Sequence, residues 1–120
     1  MEANKFKIIL ERYVVNLLRM GEIGILNIES LGDFSIEYDP RVPRDVFNVG
    51  VKFLVDKVDR DLIRTWFDNV IRIDTTYDYF LRILYEVVRT GVLMISLGIR
   101  TEILSTMIDS EIPLEFKIDH

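Results

Sequence analysis

The 120-residue chain has no cysteine and a single histidine, and each shortage removes a class of chemistry. Without cysteine there is no disulfide framework, zinc–thiolate site or thiol nucleophile, and a reducing, cytoplasmic setting is compatible with that lack. The one histidine, His120, is the last residue, where chains commonly fray. The usual nucleophile–base pairs therefore lack an internal imidazole. Glycines 21, 24 and 32 are not followed by the Gly-Lys-Ser/Thr ending of a phosphate-cradling loop. Long apolar runs are also missing. The longest runs only from Gly91 to Ile99, whereas a membrane-spanning helix needs roughly 20 residues. Near the N-terminus, the apolar run after Lys7 is broken by Glu11 and Arg12, so no leader sequence is expected there.

Positive charge is in short supply as well. Fifteen Lys and Arg face 20 Asp and Glu, a net charge of −5. Nucleic-acid binding needs clustered cations, and attraction to an anionic membrane surface needs a basic segment. Here the basic residues are scattered and outnumbered, so neither nucleic acid nor membrane is an expected partner. What the chain does have is apolar material, 49% of its residues, with 11% aromatic. That is too hydrophobic for a disordered chain. The length suits one soluble domain spanning 1–120.

Helical periodicity dominates. Phe6, Ile9, Leu10, Tyr13, Val14, Leu17 and Leu18 recur at three- and four-residue steps, one face of a helix ended or bent by Gly21 and Gly24. The stretch from Glu22 to Leu31, with Ile23, Ile25 and Ile28, fits a strand or a helical turn equally. Pro43 suits the first turn of a helix carrying Val46, Phe47, Val49, Phe53, Leu54 and Val58. Asp59 is a good N-cap for the next, whose buried face is expected to hold Leu62, Ile63, Trp66, Phe67, Val70 and Ile71. Thr75 or Thr76 can cap a third, from Tyr77 to Ile95, with Asp78, Arg82 and Glu86 one turn apart on its surface. Its apolar residues cover more than one stripe, which predicts a central helix or a dimer seam. Gly98 breaks it, and Ile99 to Ile108 reads as a short final helix.

The fold class is therefore mainly α, a small domain of about four to five helices. A minor two-stranded β element is an optional addition. Phe34 to Tyr38 and Leu114 to Ile118 both alternate apolar with polar residues, the period of a half-buried strand, and are placed to pair. Carboxylates are plentiful, and Asp56, Asp59 and Asp61 surround one helix start. Capping and the helix dipole account for Asp59 and Asp61. A calcium loop needs more oxygen ligands and a glycine turn, so no metal or cofactor is expected.

One stretch resembles a known family. Gly24-Ile25-Leu26-Asn27-Ile28-Glu29 is followed by Asp45-Val46-Phe47-Asn48-Val49-Gly50-Val51-Lys52-Phe53-Leu54-Val55-Asp56-Lys57-Val58-Asp59, and then by Asp61-Leu62-Ile63-Arg64-Thr65-Trp66-Phe67-Asp68-Asn69-Val70-Ile71. This resembles the cytoplasmic segment of the MotA family, the ion-channel stator subunit of the flagellar motor. There a Gly-x-x-x-Leu-Glu helix precedes a helix reading roughly Asp-x-Phe-x-x-x-Gly-x-x-x-x-Val-Asp-Gly and then a capped Asp-x-x-x-Ile helix. The resemblance runs from Gly24 to Ile71, about half the chain.

The resemblance implies a module that engages a rotor protein through charges. Glu29 matches the family's glutamate, although it follows Ile28 rather than Leu. The family's basic residue falls at Gly21, and the nearest base is Arg19, offset by two. The family's membrane helices have no counterpart here. Three functions follow as expectations: a motor-derived interaction domain, a self-assembling scaffold or regulatory protein unrelated to motility, and an enzyme working with carboxylates alone. The first, a binding module without catalysis, is favoured, with Glu29 and Arg19 as its partner-binding residues; a homo-oligomer remains open.

Overall fold

A computed structural model describes residues 1–118, apart from the side chains of Ile25 and Leu26. The described residues are helical, with no strand among them. Five α-helices follow in order: α1 (Ala3–Ile23), α2 (Val46–Val55), α3 (Arg60–Asp74), α4 (Tyr79–Ser96) and α5 (Thr101–Asp109). Two stretches of tighter 3-10 helix, Ile25–Phe34 and Leu114–Phe116, complete the fold. The ambiguous stretch after Glu22 is thus the end of α1 followed by 3-10 turns. His120 lies outside the described residues.

The organising element is α4. Leu81, Ile83, Leu84, Tyr85, Val87, Val88, Thr90, Gly91, Val92, Leu93 and Ile95 are all buried, so the helix is covered on most of its circumference. Helices α1, α2, α3 and α5 each pack against it. The two readings of its broad apolar surface resolve in favour of a central helix. Close approach at two glycines makes this wrapping fit. A Cβ at Gly91 would sit 2.8 Å from the methyl groups of Leu17 on α1, and one at Gly50 on α2 would sit 2.7 Å from a methyl of Val92. Helix α1 contributes the face read from its periodicity, with Phe6, Ile9, Leu10, Tyr13, Val14 and Leu17 buried.

The helix ends follow ordinary capping chemistry. Asp59 accepts a 2.8 Å bond from the Asp61 N–H at the start of α3, as its position predicts. At the end of α4, the Gly98 N–H bonds to Ile95 O and the Ile99 N–H to Met94 O, a Schellman closure with Gly98 at φ 70. Helix α2 is capped by Asp45 rather than opened by Pro43, and it starts at Val46. The N-cap of α4 is Asp78, which accepts from Leu81 N–H at 2.9 Å. Thr75 and Thr76 serve the preceding helix instead, donating their hydroxyls to Ile71 O at 2.6 Å and Arg72 O at 3.0 Å. Tyr77 is therefore outside α4 and fully exposed.

The β expectation is corrected. Phe34 to Tyr38 shows its alternation, with Phe34 and Ile36 half-buried and Ser35 and Glu37 exposed. Its backbone, however, pairs with a side chain instead of a second strand. The Asn48 carbonyl oxygen accepts from Ile36 N–H at 2.8 Å and its amide donates to Ile36 O at 2.6 Å. Leu114 to Phe116 turns back on itself behind Pro113, with the Phe116 N–H bonded to Pro113 O at 2.9 Å.

The face of α3 is also narrower than its composition suggests. Ile63, Phe67, Val70 and Ile71 are buried, while Leu62 is 63% exposed. Trp66 is only half-buried, edge-on to Phe53 and Phe67 at centroid distances of 5.3 and 5.0 Å. Phe67→Ala is expected to cost about 3–5 kcal/mol, and Trp66→Ala clearly less. Urea midpoints of the two variants check the order, and a larger loss for Trp66→Ala overturns this placement of the face.

Candidate partner-binding site

A cleft is formed where the first 3-10 stretch, the end of α2, the start of α3 and the end of α4 meet. Ile28, Phe53, Leu54, Val58 and Ile63 line it with hydrocarbon, and Lys57, Asp59, Arg60, Asp61 and Ser96 line it with polar groups. Its volume is about 450 Å³ and it is open to solvent on one side. Hydrocarbon and polar groups line it about equally, a more polar make-up than the mainly apolar one of most small-molecule sites. The polar groups are unequally occupied. Asp59 is engaged in capping, and Asp61 meets Arg64 only at 3.8 Å. Among the described residues Lys57 and Arg60 have no ion-pair partner, so two cations stand available to an incoming group.

Lys57 is held there by an uncommon backbone. It is the residue after the α2 C-cap and has φ 55, in the left-handed region. The Lys57 N–H bonds to Leu54 O at 3.2 Å and the Val58 N–H to Phe53 O at 3.0 Å, closing α2 as a Schellman motif. Glycine is the usual occupant of such a position, and a side chain there carries a strain of about 1–2 kcal/mol.

Glu29 and Arg19 are both exposed, on the first 3-10 stretch and on α1 respectively. No ion pair joins them among the described residues, and neither lines the cleft. Gly21 is half-buried, and a Cβ on it would come 2.4 Å from Leu104 of α5. A basic side chain at that place would have to displace the buried Leu104. No group of three or more carboxylate, histidine or cysteine side chains among the described residues is placed to hold a metal ion. No helix among them is long and apolar enough to cross a membrane.

Two polar groupings join residues far apart in the chain, and of them the sequence reading had only the Arg82–Glu86 pair, four residues apart on one helix. Asp74, at the end of α3, accepts from Arg44 at 2.8 and 3.0 Å and from the Tyr85 hydroxyl at 2.8 Å. The Arg44 guanidinium, followed by the Tyr85 hydroxyl bond, holds the Asp74 carboxyl below its ordinary value against the opposing effect of burial. Burial and Asp74 together push the Tyr85 phenol up. Along the α3–α4 seam, Asp68, Arg72, Arg82, Glu86 and Arg89 line a shallow groove. Arg89 pairs with Asp68 at 2.8 Å and Arg82 with Glu86 at 2.9 Å. Such exposed pairs contribute little and mark a solvated seam.

Lys57→Gly is expected to stabilise the fold by about 1 kcal/mol by releasing the left-handed strain, measured as a raised denaturant midpoint. A lowered midpoint would show that the lysine stem's packing outweighs the strain. For Asp74, a lowered folded pKa means that its stabilisation is present above the unfolded value of 3.8 and is lost as pH falls through the folded value. Asp74→Asn is therefore expected to cost about 1–3 kcal/mol near neutrality, with the gap to wild type closing on acidification below that range. Unfolding curves of both proteins across acid pH check this, and a gap independent of pH contradicts it. No family model, curated protein or solved structure matches this chain.

Proposed function

We propose that this chain is a protein-interaction domain that acts by binding, without catalysis, and that it resembles the cytoplasmic part of a flagellar motor stator subunit without the ion channel. The observation that carries the reading is the half-open cleft, with hydrocarbon and charged groups side by side in its lining. All of its lining residues except Ser96 fall within Gly24 to Ile71, the stretch that bears the resemblance. A second observation supports it. The family's Val-Asp-Gly ending aligns on Val55-Asp56-Lys57, and Lys57 has the positive φ that a glycine would accommodate without strain.

On this reading the partner is a charged helical surface, a rotor component in the family's terms, and the setting is the cytoplasm. An apolar side chain of the partner enters the cleft over Phe53 and Val58, while Lys57, Arg60 and the exposed Glu29 provide the charged contacts. Arg19 replaces the family's basic residue from two positions away. Rim charges of this kind tune association rate and salt dependence more than affinity.

A second reading, a self-assembling scaffold, is favoured by a different observation. Beside the packed rings of Phe6, Phe80 and Phe116, Tyr79 lies 6.0 Å from Phe80 and is 59% exposed, and Leu114, two residues before Phe116, is 88% exposed. Calorimetric titration with the rotor protein that faces stators, paired with light scattering of the free domain, separates the two. The motor reading expects a monomer with saturable binding that weakens as salt is raised. Glu29→Lys and Val58→Glu should each reduce that binding, and Glu29→Lys should leave the denaturant midpoint nearly unchanged. A tight homodimer that binds no rotor protein supports the scaffold and removes the motor assignment.

A further inference from the structure

After α5 the chain does not leave the body of the protein. Residues 110–118 turn back over it, and Ile112 and Ile118 are buried within the core. Phe116 packs edge-on against Phe6 of α1 and Phe80 of α4, at centroid distances of 4.9 and 5.4 Å. This strap therefore covers the junction where α1 and α4 begin. Within it, backbone bonds run from Ile112 N–H to Asp109 O, Phe116 N–H to Pro113 O and Lys117 N–H to Leu114 O.

At the root of the strap stands Glu111. Its Oε1 accepts a 2.5 Å hydrogen bond from the hydroxyl of Thr90, a buried residue in the middle of α4. Its Oε2 is buried with no hydrogen-bond partner among the described residues. A carboxylate accepts through both oxygens, and leaving one of them dry and unpaired disfavours the charged form. The charged groups that bear on it are Arg89 and Glu86, both of α4, and they act in opposite directions. Arg89 is already engaged with Asp68 at 2.8 Å.

We propose that Glu111 is a proton-operated latch for the C-terminal strap, holding residues 112–118 on the core when neutral and loosening them when ionised. Burial, ahead of every other influence, raises its affinity for the proton in the closed state, and the Thr90 bond only partly opposes this. The sign follows from linkage. Closure is fully favoured below the open-state value near 4.5 and weakens as pH rises through the raised closed-state value. Each unit between the two values changes the closed-to-open ratio about tenfold. Loosening uncovers the Phe6 and Phe80 rings.

Amide hydrogen exchange of the intact chain, followed from mildly acidic to mildly alkaline pH, tests the latch. The readout is protection at Ile112, Phe116 and Lys117 divided by protection at buried α4 amides, which also reports whether each variant is folded. In the wild type this ratio is expected to fall as pH rises. Glu111→Gln, which keeps the shape and cannot ionise, is expected to hold it level. Thr90→Val, which removes the one donor to the charged form among the described residues, is expected to steepen the fall. A level ratio in the wild type, an undiminished fall in Glu111→Gln, or a fall that Thr90→Val leaves unchanged or shallower overturns the proposal.

Discussion

Everything in this fold follows from the burial of one helix. Helix α4 is apolar on almost every side, so no single neighbour can cover it. Helices α1, α2, α3 and α5 close around it, and two close contacts set how near they come. At Gly91 the space of a side chain is taken by Leu17, and at Gly50 it is taken by Val92. Hydrocarbon burial supplies the driving force, roughly in proportion to the area removed from water. The small residues decide where the helices lock, because close-packed interiors tolerate little surplus volume.

The peripheral polar groups then hold the wrapping in place at the edges. Asp74 draws together the segment before α2, through Arg44, and α4, through Tyr85. Asn48 holds the extended stretch around Ile36 against α2. Thr90 and Glu111 join the middle of α4 to the chain beyond α5. The first two groupings satisfy their polar atoms, but the third leaves Glu111 Oε2 buried and unpaired. On the latch proposal, that difference is why protonation of Glu111 bears on how the C-terminal strap is held.

The cleft that supports the interaction reading is a by-product of the same closure. Helix α2 ends at Val55, α3 begins at Arg60, and between them Lys57 turns the chain with a positive φ. This turn holds Val58 and Phe53 beside Ile63 and leaves a bed of mixed hydrocarbon and polar lining that no segment among the described residues fills. Specific side-chain recognition needs a bed of this kind, with charges at its edge to orient the incoming group.

Much of the helical framework was legible in the chain. The three- and four-residue steps of Phe6 to Leu17 named the buried face of α1, Asp59 named the start of α3, and Gly98 the end of α4. The breadth of the apolar surface on α4 indicated burial on most sides. These are local properties, set by helical geometry and by which donors a helix end leaves free. Alternation in Phe34–Tyr38 told that Phe34 and Ile36 turn inward, although Tyr38 is 41% exposed, and it could not tell what the backbone bonds to. The partner is Asn48, twelve residues away. Composition likewise could not rank Trp66 against Phe67, since depth depends on what faces the helix. The cleft, the Arg44–Asp74–Tyr85 group and the Glu111–Thr90 bond unite residues from separate elements. Only the tertiary structure could decide them, because each depends on how the other helices settle around α4.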